Sequence, residues 1–272
     1  MKEHISQIFL DDENSALPDQ VTRASSTVHN LFRNHHHNIY RNEQLESFIE
    51  KYFEPDVLDA YKSLVPYAYK ADLGRYCLIH KLGGWYIDIS IMPIRHIVLP
   101  DEIDFFYFYD LGHNILLPEC QMSDCQNGFF YAKQGHPILK NAINMIVENC
   151  KKRNKGITPL CLSGPSLFGR VIANYVPSRG IMHGHFMPLT PYHRRKNMAY
   201  VTPSGDLAAW HKSAWLPEKE AAKPGLEGLG VNSGNNYMQL WQEGKIFRNG
   251  ELYQAFPEES SSDATERDGL GS

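Results

Sequence analysis

A pair of glycines, Gly83 and Gly84, separates two segments of different periodicity and constrains the fold more than any other feature of the chain. Residues 68–82 carry apolar and small side chains at helical spacing, and glycine is the residue that most commonly follows the end of a helix. Residues 85–92 alternate with period two, so one face is apolar and the other is partly polar. The sequence predicts a helix that ends at Gly83 and leads directly into a strand.

Polar side chains lie on both sides of this glycine pair. Asp72 and Arg75 are three residues apart and share a helix face, which by itself is typical of an exposed ion pair worth roughly a few tenths of a kcal/mol. Asp88 and Ser90 would project from one face of the strand about 6.5–7 Å apart and flank a hydrated cation with the phosphates it bridges. A half-exposed strand gives the same alternation, so the residues alone leave both interpretations open.

The rest of the chain alternates between strand and helix patterns. The predicted elements near the N-terminus are a strand at residues 5–10, a helix with Val21, Ala24 and Val28, and a helix capped by Asn42. Further along are helices begun by Pro55 and Pro137, strands near residues 104–109 and 129–132, a helical pattern preceded by residues 163–165, and short strands from residue 181 onward. Interleaved strands and helices indicate an α/β fold with one mixed sheet, which we expect to form a single domain over residues 1–257. Residues 258–272 are acidic and rich in serine, as in a disordered tail.

Composition excludes several classes of protein. The formal net charge of −4 argues against capture of nucleic acid, which depends on Lys and Arg. No stretch approaches the roughly 20 apolar residues of a membrane span, and the N-terminus lacks the apolar core of a signal peptide, so a cytoplasmic location is expected. Five irregularly spaced cysteines favour reduced thiols over a disulfide framework or a zinc site.

The segment around the glycine pair resembles a known family. The matching residues are Ala68 or Ala71, Asp72, Arg75, Tyr76, Gly83, Gly84, Tyr86 and Asp88. This pattern is similar to that of the DXD-containing sugar transferases, which include yeast initiating α-1,6-mannosyltransferase, bacterial capsule and lipopolysaccharide glycosyltransferases, and the glucosylating domains of clostridial toxins. Segments 5–9, 38–45, 127–137, 163–165 and 210–215 extend the resemblance to about residue 215.

The resemblance implies a GT-A fold, a Rossmann-like mixed sheet flanked by helices, and a retaining transfer from a nucleotide-sugar with Mn²⁺ or Mg²⁺ as cofactor. It implies these roles: Phe9 stacking on the nucleobase, Asp72 accepting hydrogen bonds from donor-sugar hydroxyls, Arg75 contacting the sugar or diphosphate, Asp88 near the ribose and the metal, Gly84 and Tyr86 at the donor, Asn127 at the acceptor, and Ser213 and Trp215 at the phosphates. Asp72, Arg75 and Asp88 are the expected catalytic residues.

One position departs from the family pattern. Ser90 stands where the second carboxylate of the DXD motif is expected, and a neutral hydroxyl coordinates a hard divalent cation more weakly than a carboxylate does. His211 is a candidate to compensate, either as a metal ligand or as a donor to a phosphate oxygen. The run His35, His36 and His37 falls where the resemblance implies a loop and is given no role.

These observations lead to a functional hypothesis. We expect a bacterial hexosyltransferase that uses a UDP- or GDP-sugar and acts on a surface polysaccharide or lipid-linked oligosaccharide, with peripheral membrane contact through a lipid-linked acceptor. Two alternatives remain: a weak or inactive protein that binds sugar-nucleotide or glycan, favoured by Ser90, and a toxin-like enzyme that glycosylates a protein.

Overall fold

Nine strands within the described residues form one mixed sheet. The computed structural model describes residues 3–12, 16–111, 124–175, 180–190, 197–231 and 235–248. The strands are β1 His4–Ile8, β2 His36–Tyr40, β3 Gly84–Ile87, β4 Met92–Pro93, β5 Phe105–Asp110, β6 Cys125–Ala132, β7 Ile181–Pro188, β8 Met198–Val201 and β9 Leu207–Trp210. Their order across the sheet is β2-β1-β3-β6-β5-β7-β8-β9-β4. β1, β2 and β3 are parallel, as are β5 and β7, whereas β6 runs antiparallel to β3 and β5.

Helices cover both faces of this sheet. They are α1 Asp19–Leu31, α2 Asn42–Tyr52, α3 Pro55–Ser63, α4 Tyr67–Leu82, α5 Pro137–Lys151, α6 Pro165–Ala173, α7 Lys212–Trp215, α8 Glu218–Ala221 and α9 Tyr237–Gln242, with a short 3-10 helix at Glu227–Leu229. On one face α1 packs through Val28 against Trp85 and Ile87 of β3. On the other face Tyr86 joins a core formed with α2 to α6. The expected Rossmann-like mixed sheet flanked by helices is therefore confirmed.

Several predicted boundaries are confirmed. α4 ends at Leu82, and Gly83 follows it with φ +69°, the left-handed conformation that the glycine was expected to supply. Pro55 and Pro137 each begin a helix, and a further helix begins at Pro165. Cys77, Cys125, Cys150 and Cys161 are buried and are not joined in disulfides with one another, while Cys120 and the predicted disordered tail lie outside the described residues.

Two local predictions are wrong. Asn42 is the first residue of α2 and not its cap; its side chain instead exchanges hydrogen bonds with the backbone of Asp11 at 3.0 and 3.2 Å. His36 and His37 lie in β2 and not in a loop, because β2 pairs along its whole length with β1.

The topology brings the ends of several strands to one edge of the sheet. β1, β3, β5 and β7 all end there, and the antiparallel strands β6 and β8 begin there. Ligands of α/β proteins bind outside the carboxyl ends of strands, so this edge is where a site is expected. In the described part of the chain, every helix is too short or too polar to cross a bilayer.

Candidate active site

α4 carries Asp72 and Arg75 inside the protein. Asp72 is 7% exposed and Arg75 is 5% exposed, and their ion pair measures 3.1 Å from Nη2 to Oδ1. The exposed ion pair typical of this spacing is therefore the wrong interpretation. α4 is buried on nearly all sides because the sheet, α3 and α5 all pack against it.

Asp72 anchors a network that reaches across the chain. Asn127 donates from Nδ2 to Oδ1 at 2.8 Å, and Ser163 donates from Oγ to Oδ2 at 2.8 Å. Burial raises the pKa of Asp72, while Arg75 and these two hydrogen bonds oppose the rise. Since the carboxylate is directed at protein partners, Asp72 positions Arg75 and Asn127, and its expected contact with sugar hydroxyls stays a prediction.

The guanidinium of Arg75 is held on every side. Nη1 donates to the carbonyl oxygen of Asn127 at 2.9 Å, and Nε donates to the carbonyl oxygen of Ala71 at 3.1 Å. The ring of Tyr86 lies 4.7 Å from the guanidinium carbon. Nη2 lies 3.6 Å from Oδ2 of Asp88, so Arg75 links the helix to the strand that follows it.

Asp88 and Ser90 form a turn and not part of a strand. β3 ends at Ile87, and Ile91 N–H donates to the carbonyl oxygen of Asp88 at 3.0 Å. Oδ1 of Asp88 accepts from Ser90 N at 3.1 Å and from Ser90 Oγ at 2.9 Å. An aspartate that caps the backbone two residues on favours a turn, which overrides the alternation. The expected continuous strand through Met92 is wrong, and the expected cation between the two side chains stays a prediction.

A cavity of about 550 Å³ opens at this edge of the sheet, within the size range of small-molecule sites. Its polar lining residues include Arg75, Asp88, Ser90, Asp110, Gln126, Asn127, His211, Lys212 and Ser213, and its apolar and aromatic ones include Leu10, Ala71, Tyr200 and Tyr237. Asn127 also donates its amide to Tyr76 Oη at 3.1 Å. The cavity thus gathers most of the predicted polar residues.

Asp110 was missed by the sequence analysis. It is the last residue of β5, is 1% exposed and lines the cavity. Gln126 donates from Nε2 to its Oδ2 at 2.5 Å, and Tyr200 Oη donates to Gln126 Oε1 at 3.4 Å. An acidic residue at the carboxyl end of a run of aromatic residues was the available signal.

His211 caps α7 as a neutral imidazole. Its Nδ1 accepts from Ser213 N–H at 3.2 Å and lies 2.9 Å from Ser213 Oγ. Burial, and to a smaller extent the charge of Lys212, lower the pKa of His211 to about 4. With Nδ1 committed as an acceptor, the neutral ring carries its proton on Nε2, which favours the phosphate-donor role over the metal-ligand role.

The segment after His211 is hydrogen-bonded to the turn at Asp88–Ile91, which we call the DXD turn. Trp215 donates from Nε1 to the carbonyl oxygen of Ser90 at 3.1 Å. Ser213 Oγ accepts from Met198 N–H at 3.1 Å, so its hydroxyl already has two protein partners. Trp215 therefore stabilises the position of the turn, and Ser213 orients His211.

Three expected donor residues lie in the packed interior. Phe9 is 1% exposed, packs with Val21 and Ile89, and carries the guanidinium of Arg41 4.7 Å from its ring centre. Tyr86 is wholly buried beneath Arg75. Gly84 has φ +92°, and a Cβ there would lie 2.1 Å from the carbonyl oxygen of His4, so its role is close strand packing.

Few side chains at this turn meet the needs of a divalent cation. Among the described residues, no group of three or more His, Cys, Asp or Glu side chains is placed to hold a metal. Asp88 supplies one carboxylate, and Ser90 supplies a hydroxyl that donates to that carboxylate. One carboxylate completed by substrate phosphates and water fits Mg²⁺ or Mn²⁺, but the two-carboxylate DXD set is absent from this turn.

Comparisons relate the chain to proteins named as glycosyltransferases. Residues 10–108 match the family described as glycosyltransferase sugar-binding region containing DXD motif. An uncharacterized glycosyltransferase of Acanthamoeba polyphaga mimivirus is 21% identical over 225 residues, covering 80% of this chain and 85% of that protein. HOC1 of Saccharomyces cerevisiae, also named as a glycosyltransferase, is 25% identical over 134 residues, covering 44% of this chain but only 33% of its own length.

Among solved structures, the PaToxG glycosyltransferase overlaps 65% of this chain and 70% of its own, with 15% identity and a TM-score of 0.47. The family match covers α4, the glycine pair and the Asp88 turn, and this segment contributes Arg75, Asp88 and Ser90 to the cavity wall. Together these matches indicate a glycosyltransferase, and residues 10–108 are similar to a sugar-binding region of the DXD-containing type.

Proposed function

We propose that the protein is a retaining hexosyltransferase of GT-A type that takes its sugar from a UDP- or GDP-hexose. The acceptor would be a polysaccharide or lipid-linked oligosaccharide hydroxyl, with Asn127 at the acceptor side. One observation carries the proposal: Arg75 and Asp88 lie side by side on the wall of one cavity, inside the segment that matches the sugar-binding region.

The chemistry follows from charge. Departure of the nucleoside diphosphate develops negative charge on its phosphates, and fixed donors stabilise such charge without reorganising. Arg75 is a rigid, buried donor, and His211 offers its Nε2–H at neutral pH. A divalent cation held by Asp88 and the phosphates would add Lewis-acid stabilisation of the leaving group.

The alternative of a non-catalytic sugar-nucleotide binder is favoured by Ser90. The Ser90 hydroxyl donates a hydrogen bond to Asp88 Oδ1, and the Ser90 side chain adds no charge to the turn. Donor turnover separates the two functions, because a binder retains affinity without releasing nucleoside diphosphate.

The first test is a panel of UDP- and GDP-hexoses incubated with purified protein and Mn²⁺, followed by release of nucleoside diphosphate. We expect slow hydrolysis of one donor, and Asp88→Asn should lower it by at least about a hundredfold while the melting temperature is kept. Asparagine retains the Oδ1 acceptor for Ser90, so the turn should persist.

Asp206→Asn is the matched control, because Asp206 pairs with Arg95 at an exposed position away from the cavity. Binding without turnover would establish the alternative function. Absence of both binding and turnover with every donor would overturn the proposal. NMR of the released sugar at early times reports whether the anomeric configuration is retained, and cell fractionation tests the cytoplasmic or membrane-peripheral location.

A further inference from the structure

Lys212 is a cation on the cavity wall to which the sequence analysis gave no role. It is the first residue of α7, directly after His211, and it is partly buried. It lines the cavity together with Arg75 and Asp88. Burial lowers the pKa of Lys212, while the charges of Asp88 and Glu227 oppose that change. Lys212 therefore lies on the wall of the same cavity as Asp88 and Ser90.

The ammonium group is held in place by backbone carbonyls. Nζ donates to the carbonyl oxygen of Lys223 at 2.9 Å and to that of Gly225. An ammonium carries three N–H groups, so these two bonds leave one for a ligand. Gly225 also lines the cavity, which places the fixed end of the lysine at its rim.

The charges around the turn give this lysine a function. A DXD site pairs two carboxylates with a divalent cation, and those charges cancel. The turn here has one carboxylate, Asp88, and the same cavity wall carries the ammonium of Lys212, whose charge cancels it, while Arg75 and Asp110 add one charge of each sign. The exchange of a carboxylate for Ser90 is thus matched by a fixed positive charge from the protein itself.

We propose that Lys212 binds the diphosphate of the nucleotide and supplies charge that a metal ion supplies in a two-carboxylate DXD site, so that diphosphate binding has a metal-independent component. The inference rests on the proposed function and deepens it. A lysine contacts phosphate as a point charge, so the β-phosphate, which nucleoside monophosphates lack, is its expected partner.

The experiment is calorimetric titration of UDP, GDP, UMP and GMP in excess chelator. We expect the wild type to bind one diphosphate, and Lys212→Gln to weaken that binding by about tenfold to a hundredfold, the range for a hydrogen bond to a charged group. Binding of the matching monophosphate should change less than about twofold. Lys212→Arg should keep most of the diphosphate affinity.

Lys219→Gln is the matched control. Lys219 is exposed on α8, and its replacement removes the same charge from the same segment. A second arm adds Ser90→Asp to Lys212→Gln. The restored carboxylate should recover diphosphate affinity in Mn²⁺ but not in chelator, as expected of residues that serve one partner.

Each outcome has a defined meaning. Diphosphate binding that is unchanged in Lys212→Gln overturns the inference. Equal losses for diphosphate and monophosphate also overturn it, since they show that Lys212 only tethers the rim at Lys223 and Gly225. Wild-type binding that requires Mn²⁺ overturns the inference and leaves the proposed function standing, whereas a wild type that binds no nucleotide even with Mn²⁺ overturns both.

Discussion

Arg75 keeps its charge inside the protein because oxygen atoms surround it. An isolated buried charge is very costly, and a paired one is tolerated only with good geometry and further hydrogen bonds. Asp72 and the carbonyl oxygens of Ala71 and Asn127 supply that environment. The guanidinium is therefore fixed before any substrate arrives, and its position depends on Asp72.

Replacing Asp72 with Asn should destabilise the fold. The variant leaves Arg75 without its nearest counter-charge and places an amide among the donors of Asn127 and Ser163. Breaking a buried ion pair in this way costs about 3–5 kcal/mol, to be measured as the free energy of unfolding in urea. Glu148→Gln, which breaks an exposed pair with Lys152, is the control. Equal losses in the two variants would contradict the positioning role.

His211 should make stability depend on pH. Its pKa is about 4 in the folded protein against an ordinary value of 6.5, so below pH 6.5 the unfolded chain takes up a proton that the folded chain does not. The stabilisation is complete above pH 6.5 and is lost as the pH falls toward 4, by about 2 kcal/mol at pH 5.

Urea unfolding of wild type and His211→Asn at pH 7 and pH 5 measures this difference. Asparagine is a favoured helix cap and can still accept from Ser213 N–H, but it does not titrate. The wild type should lose about 2 kcal/mol more than the variant. His37, whose pKa is also lowered to about 4 by burial, is present in both proteins and cancels. The same pH dependence in both would show that His211 is not held neutral.

At the scale of elements, the junction between α4 and β3 depends on the glycine pair. β3 pairs with β1 through Ile5 and Trp85, and Gly84 lies so close to β1 that a Cβ would be 2.1 Å from the carbonyl oxygen of His4. That atom belongs to a paired strand, so it cannot move aside. The register of these two neighbouring strands therefore requires glycine here.

Gly84→Ala should cost roughly 3–5 kcal/mol in the free energy of unfolding, because overpacking adds to the strain of a positive φ. Gly135→Ala is the matched control, since Gly135 has φ +77° with no atom within 4 Å of a Cβ. It should cost only the strain, about 1–2 kcal/mol. Similar losses in both variants would show that the approach of β1 does not matter.

The DXD turn shows why an alternating pattern can mislead at this scale. Residues 85–87 follow the alternation, with Trp85 and Ile87 on one face of the sheet and Tyr86 on the other. At Asp88 the side chain bonds the backbone of Ser90, and the chain leaves the sheet. Local hydrogen bonding of this kind competes with strand pairing, and a count of apolar positions does not detect it.

At the scale of the whole molecule, the site is assembled by sheet topology. Arg75 and Asp88 come from the first third of the chain, Asp110 and Asn127 from its middle third, and Lys212 from its last third. They meet because parallel and antiparallel strands are ordered so that these residues share one sheet edge. The distances between these residues along the sequence gave no reason to group them.

The sequence by itself determined the elements whose signals are local. Helix starts at proline, the helix end at Gly83, and the α/β alternation all depend on the conformational limits of nearby residues, and the motif from Asp72 to Asp88 identified the sugar-binding region. Tertiary structure alone decided the burial of the Asp72–Arg75 pair, the inclusion of Asp110 and Lys212 in the cavity, and the tautomer of His211. Those properties are set by contacts between distant segments, because burial and electrostatic environment depend on what packs around a residue and not on its neighbours in the chain.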